Sequence, residues 1–239
     1  MKKSVIIFIA LLLITTAVYS TAYKVPARLA YASEQLIYPI GWSKNGNFAY
    51  VIYYDIGSAC GFCPFYKLII QSAVTDKILT ENTYEAYSNK KKSGKKEINE
   101  IWKEIIASSQ KELNKYQIIQ DDVFHLDKPE FIYKNISYQI KYQYRTGSYQ
   151  FQAFEAPSVE ETFISKGTLT LYSSARGKKI VFRYNRKNYD TVIDAAPAGY
   201  LSSPYENRIV ILFTQKYLDG DGTQREKLRF IGAHLTKGF

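Results

Sequence analysis

The stretch "YYDIGSACGFCPFYKL", residues 53–68, holds both cysteines of the 239-residue chain, Cys60 and Cys63. The residues after Pro64 decide the architecture. A helix there would give the order strand, Cys-x-x-Cys, helix, and would point to a parallel or mixed sheet. A strand there would make the cysteine segment a connection between neighbouring antiparallel strands. The next residues, FYKLIIQ, are aromatic and β-branched, and Thr75-Asp76 turns the chain soon after. That composition suits a pleated, half-buried surface, so the stretch is read as a strand.

The helical alternative resembles the thioredoxin family in its local order, with Phe48–Asp55 leading into the motif. The resemblance implies thiol–disulfide oxidoreductase activity, with Cys60 as nucleophile, activated at a helix N-terminus, and Cys63 as resolving thiol. The family also needs a cis-proline segment facing the motif, then a strand and a terminal helix. Pro129 and Pro157 are the available candidates, and sheet-like sequence follows each. A zinc site needs four ligands, and the chain offers only His125 and His234 beside the pair, neither with a partner at ligand spacing. No metal and no cofactor are therefore expected. In an oxidising compartment, Cys60 and Cys63 read instead as a disulfide that closes a tight loop between two strands. So short a loop stabilises at the low end of the roughly 0–5 kcal/mol range.

The N-terminus supplies that compartment. Lys2 and Lys3 precede an unbroken apolar run, Val5–Ile14, and small residues come next, with Ser20 and Ala22 suited to cleavage after Ala22. This is the layout of a secretory signal peptide, and the run is short for a membrane span of roughly 20 residues. The expectation is an exported protein, periplasmic or secreted, with no transmembrane segment in the mature chain. The formal net charge is +10, and removing Lys2 and Lys3 leaves +8. An exported basic protein suits anionic envelope polymer or another envelope protein as partner, and no nucleic-acid motif is present.

Four stretches organise the chain: a signal peptide at 1–22, a β-hairpin module at 23–87, a lysine-rich linker and helix at 88–120, and an antiparallel β region at 121–239. In the second, Leu36–Ile40 and Phe48–Tyr54 flank Asn45-Gly46, a strong hairpin signal. Here "GWSKNGNFAYVIYY…FYKLIIQSAVTDKIL" resembles one blade of propeller-type repeats that carry a Trp-Ser-x-x-Gly turn. One copy implies a local antiparallel sheet and no closed propeller. Lys90, Lys91, Lys92, Lys95 and Lys96 form a solvated linker. After them Ile98, Trp102, Ile105, Leu113 and Tyr116 recur at helical steps, so an amphipathic helix around 96–118 is expected to pack on a sheet, with Ser109 interrupting its stripe.

The last stretch is strand-like almost throughout. Ile136–Tyr144, a turn at Arg145–Ser148, and Tyr149–Phe154 read as one hairpin; Phe163–Tyr172, a turn at Ala175–Lys178, and Ile180–Tyr184 read as a second. Tyr189–Ile193, Arg208–Gln215 and Lys227–Leu235 complete the series. The final 40 or so residues, from "GYLSSPYENRIVILFTQKYL" onward, look similar to the C-terminal part of predicted secreted bacterial proteins of unknown function, which implies export and no chemistry. The fold class is α+β, predominantly antiparallel β in a sheet, sandwich or open barrel, with one amphipathic helix. The 22 tyrosines and 13 phenylalanines agree with that β content.

Other motifs carry less. Asp219-Gly220-Asp221-Gly222 resembles a calcium loop but lacks a third acidic ligand and the closing Glu, and reads as a turn. Glu155, Glu160 and Glu161 lie near a hairpin tip, and spacing alone does not put two of them across a cleft. There is no nucleophile elbow, phosphate-binding loop, dinucleotide fingerprint or His-Glu-x-x-His. The functional expectation is a non-enzymatic structural or binding module of the cell envelope, with any ligand surface on exposed tyrosines of the C-terminal sheet or beside the basic linker. A thiol–disulfide oxidoreductase and a carbohydrate- or wall-binding protein are the alternatives.

Overall fold

The computed structural model describes residues 23–31, 35–54, 64–86, 96–187 and 190–239. The signal segment, Cys60 and Cys63, the lysine run up to Lys95, and Tyr189 lie outside the described residues. The protein is predominantly antiparallel β, with one helix among the described residues, an α+β fold. Its elements stack as helix, five-stranded sheet, three-stranded sheet and four-stranded sheet.

The first sheet has the order β4-β3-β2-β1-β5, from β1 (Leu36–Trp42), β2 (Asn47–Tyr54), β3 (Phe65–Ser72), β4 (Ile78–Glu85) and β5 (Ile119–Gln120). β1 to β3 read as continuous apolar runs because both faces of the sheet are covered. In β2, Ala49, Val51 and Tyr53 face the helix, while Phe48, Tyr50 and Ile52 face the central sheet. The β1–β2 turn uses Gly46 at φ 78°, a left-handed position that favours glycine.

Pro64 does not open a helix. β3 starts at Phe65, pairs with β2 through Tyr54↔Phe65, and the Pro64 carbonyl accepts the Ala86 N–H at 3.1 Å. A proline without an N–H suits the residue before a strand. The strand read after Pro64 is thus present. β2 and β3 form a β-hairpin in place of the alternative thioredoxin-like order of strand, Cys-x-x-Cys and helix, and the cysteines fall between the two strands in the chain.

Helix α1 (Ile98–Lys115) buries Ile98, Ile101, Trp102, Ile105, Ser109 and Leu113, one stripe at three- and four-residue steps. The Glu100 carboxylate accepts the Glu97 N–H at 2.8 Å at its N-terminus. Ser109 belongs to the stripe and does not interrupt it. It is fully buried and shares hydrogen bonds with the Tyr84 hydroxyl (2.7 Å) and the Asn82 amide (2.9 Å), so the polar position is satisfied by β4.

The four-stranded sheet has the order β6-β7-β8-β9, from β6 (Glu130–Tyr133), β7 (Ile136–Phe151), β8 (Val159–Ser173) and β9 (Gly177–Asn185). The turn expected at Arg145–Ser148 is absent. The strand runs straight through these residues to Phe151, opposite a bulge at Ser165 of β8, and the true turn lies at 152–158 with Glu155 at φ 59°. Lys134 and Asn135, both at positive φ, make the two-residue turn from β6 to β7.

The central sheet has the order β10-β11-β12, from β10 (Val192–Ser202), β11 (Arg208–Leu218) and β12 (Gln224–His234). β10 starts and ends later than the reading at Tyr189–Ile193. It contains Pro197, tolerated because β10 is an edge strand with a bulge at Pro197/Gly199. In β11, Val210 and Leu212 face the first sheet and Ile209, Ile211 and Phe213 face the outer one.

The seam between the first sheet and the central one is unusually polar along one line. The edge of β12 offers backbone groups at every second residue, and side chains of the first sheet and of the residue before it take them in turn. Gln35 donates to the Glu226 carbonyl (2.8 Å) and accepts the Leu228 N–H (3.3 Å). Gln71 donates to the Phe230 carbonyl (2.7 Å), and Asp76 accepts the Gly232 N–H (2.6 Å). These bonds substitute for a missing neighbour strand and close an edge that otherwise invites strand addition. Beneath it Phe48 packs against Trp42 (4.8 Å), Tyr50 (5.4 Å) and Phe230 (5.0 Å). Gly232 is required by contact: a Cβ there would lie 1.9 Å from the Ala73 carbonyl oxygen.

Candidate functional site

The face of the central sheet that meets the outer sheet changes character along its length. At one end, Ile209, Ile211, Ile231 and Ala233 are buried core. Towards the other, the paired positions become Phe213↔Arg229, Gln215↔Lys227 and Tyr217↔Arg225. Side chains two apart on a strand share a face, so this is one row passing from apolar to cationic. The outer sheet no longer seals that end, and a cleft of ≈610 Å³ opens.

Each layer contributes a wall. β9 supplies Phe182 and Tyr184, the central sheet supplies Gln215, Tyr217, Lys227 and Arg229, and the first sheet supplies Tyr54 at the end of β2. Arg183 and Lys187 add positive charge, and among the described residues Asp190 is the one carboxylate in the lining. The Arg229 guanidinium sits 5.2 Å from the centroid of Phe182, which holds it at the wall.

Electrostatics follow from this imbalance. Burial holds the Lys227 ammonium below the ordinary lysine range; repulsion from Arg229 and Lys67 adds to this, and Asp190 opposes it. Tyr54 is pushed up to about 12 by burial, then by Glu81 and Tyr217. Burial, then the nearby Asp190 carboxylate, raises Tyr184. Tyr184 is 9% exposed, and its hydroxyl has no hydrogen-bond partner within 3.5 Å among the described residues. The Asp190 carboxylate is a nearby acceptor for that proton, and a ligand oxygen within hydrogen-bond distance would compete for it.

The arrangement provides a bidentate fork from Arg229, a point charge from Lys227 and aromatic walls, the set that recognises an anionic, hydroxylated group. The residues come from the ends of β2, β9, β11 and β12, which are remote in sequence. The signal available in the chain is the alternation FTQKY in β11 against EKLRF in β12.

Other candidates from the sequence are dispersed. Asp219 forms a turn: its carboxylate accepts the Asp221 and Thr223 N–H groups and pairs with Arg225 at 2.8 Å, so its oxygens are spent on the protein. Glu160 and Glu161 are successive strand residues and point to opposite faces, while Glu155 sits in the turn. His125 is exposed, and the Nδ1 of His234 accepts the Thr236 N–H at 3.1 Å. Among the described residues, no group of three or more His, Cys, Asp or Glu is placed to hold a metal ion. No described helix is long and apolar enough to cross a membrane.

Comparison with protein-family models, with curated proteins and with solved structures finds no match for this chain.

Proposed function

We propose that this protein is an exported, non-enzymatic binding module of the cell envelope, and that the cleft at the junction of the three sheets holds a uronate or sugar-phosphate unit. The observation that carries the reading is the cationic, tyrosine-walled cleft, in which the Tyr184 hydroxyl is buried with no hydrogen-bond partner within 3.5 Å among the described residues. Arg229 and Lys227 would take the anionic oxygens, Tyr184 would donate to one of them or to a ring hydroxyl, and Tyr54 offers an aromatic surface to the sugar face. The basic balance of the whole chain and the export-type N-terminus support an anionic envelope polymer as the source of such a unit.

Isothermal titration of the full chain with a galacturonate trimer and with neutral maltotriose tests this. Preferential binding of the uronate, weakened about tenfold or more by Arg229→Gln, fits the loss of a charge-assisted bidentate contact. Equal affinity for the two trisaccharides, or no binding of either, refutes it.

A further inference from the structure

The outward face of the four-stranded sheet carries a cluster of positive charge at its middle, and the Glu130 carboxylate on the same face accepts a hydrogen bond from Gln139. Pairing of β7 with β8 sets Lys141 opposite Thr170, Gln143 opposite Thr168 and Arg145 opposite Lys166. Pairing of β8 with β9 adds Lys178 opposite Tyr172. Arg145 and Lys166 therefore confront each other directly, both exposed, and neither belongs to an ion pair among the described residues. Like charges at directly opposed strand positions destabilise a sheet. The fold tolerates this arrangement on a surface where opposite charge or a threonine would cost nothing.

A groove of ≈410 Å³ is lined by Gln143, Arg145, Lys166 and Lys178, and its described lining contains no carboxylate. Thr168 and Tyr172 lie in it between the cations, and the Lys141 ammonium is 5.9 Å from the Tyr172 ring centroid. Alternate strand residues are about 7 Å apart and neighbouring strands about 5 Å, so the cations form a lattice whose repeat suits a chain bearing regularly spaced anions. Ile180 is the one exposed large aliphatic residue in the described lining, and a face that inserts into lipid needs a broader apolar surface.

We infer that this face is a second binding surface, independent of the cleft, for a linear anionic glycan laid along the strands. Its cations contact carboxylates of successive sugar units, and the Thr168 and Tyr172 hydroxyls contact the sugar hydroxyls. The opposed pair Arg145/Lys166 is relieved when an anion lies between them.

The test uses polygalacturonate, neutral dextran and phosphatidylglycerol vesicles against the full chain, its Arg145→Glu and Lys166→Glu variants and the cleft variant Arg229→Gln. Each substitution in the groove places a carboxylate opposite the remaining cation, so the unfolding midpoint should stay level or rise while polygalacturonate binding weakens about tenfold or more. Wild-type binding should fall with added salt, and Arg229→Gln should leave polymer binding intact, which separates this face from the cleft. Unchanged polymer binding in both groove variants overturns the inference. So does a lowered unfolding midpoint in both, equal binding of dextran, tighter binding to the vesicles than to the polymer, or polymer binding lost only with Arg229→Gln.

Discussion

Replacing Gln71 by leucine removes one amide from the seam between the first and central sheets while nearly conserving volume. Gln71 is 5% exposed and donates to the carbonyl of Phe230, itself 3% exposed, at 2.7 Å. In the variant that carbonyl is left buried with no donor, since β12 is an edge strand and no described strand lies beside it to supply one. A buried acceptor without a partner costs about 1–3 kcal/mol. At about 2–4 °C per kcal/mol for a chain of this size, the midpoint should fall by roughly 2–12 °C. Gln71→Glu sharpens the test. A carboxylate opposed to a carbonyl cannot donate, so its folded pKa is raised above the unfolded value of about 4.3. Protonated, the new side chain donates as Gln71 did. The variant should therefore match wild type below the unfolded value and lose stability as pH rises towards the raised one. Urea unfolding followed by circular dichroism measures both variants. A leucine variant within about 0.5 kcal/mol of wild type, with an unchanged denaturant slope, would refute the edge-sealing argument.

Asp76→Asn keeps an oxygen for the Gly232 N–H and tolerates the φ of 59°, so thermal unfolding should match wild type, whereas Asp76→Ala loses both and should unfold at lower temperature. Gly232→Ala drives a methyl group against the Ala73 carbonyl and should cost about 1–3 kcal/mol or more, read from the same urea curves. Ser109→Ala strips a hydroxyl shared with Tyr84 and Asn82 and should cost about 1 kcal/mol. Because burial and Arg229 lower the Lys227 pKa, its charge is full below that pKa and is lost as pH rises through it. Uronate affinity should therefore decline at a lower pH than an ordinary lysine would give, and Lys227→Arg should abolish that decline.

Much of the strand order is readable because local rules and tertiary packing agree. The run FAYVIYY is apolar on both faces and is covered on both faces, by α1 and by the central sheet. The stripe of α1 is legible apart from Ser109, whose polarity looks like a break because its partner, Tyr84, lies 25 residues away on β4. The errors come where a strand has the composition of a turn or loop. Arg145-Thr146-Gly147-Ser148 has turn composition, yet ladder pairing with β8 carries the strand through it. In β10, Ala195-Ala196-Pro197 reads as loop, and only an edge position lets it be a strand. The cleft is not legible from the chain in order, since its walls come from strand ends of three sheets brought together by stacking. The alternation of FTQKY against EKLRF is visible in the chain, but the tyrosines of β2 and β9 that lie across from it are not.

The location of a bound uronate decides the account most directly. Amide chemical-shift mapping with the galacturonate trimer should give its largest shifts at Tyr184, Gln215, Lys227 and Arg229, at the end of the central sheet that the outer sheet leaves open. Shifts confined to α1 or to the β1–β2 turn, with those four amides unmoved at saturation, would contradict it.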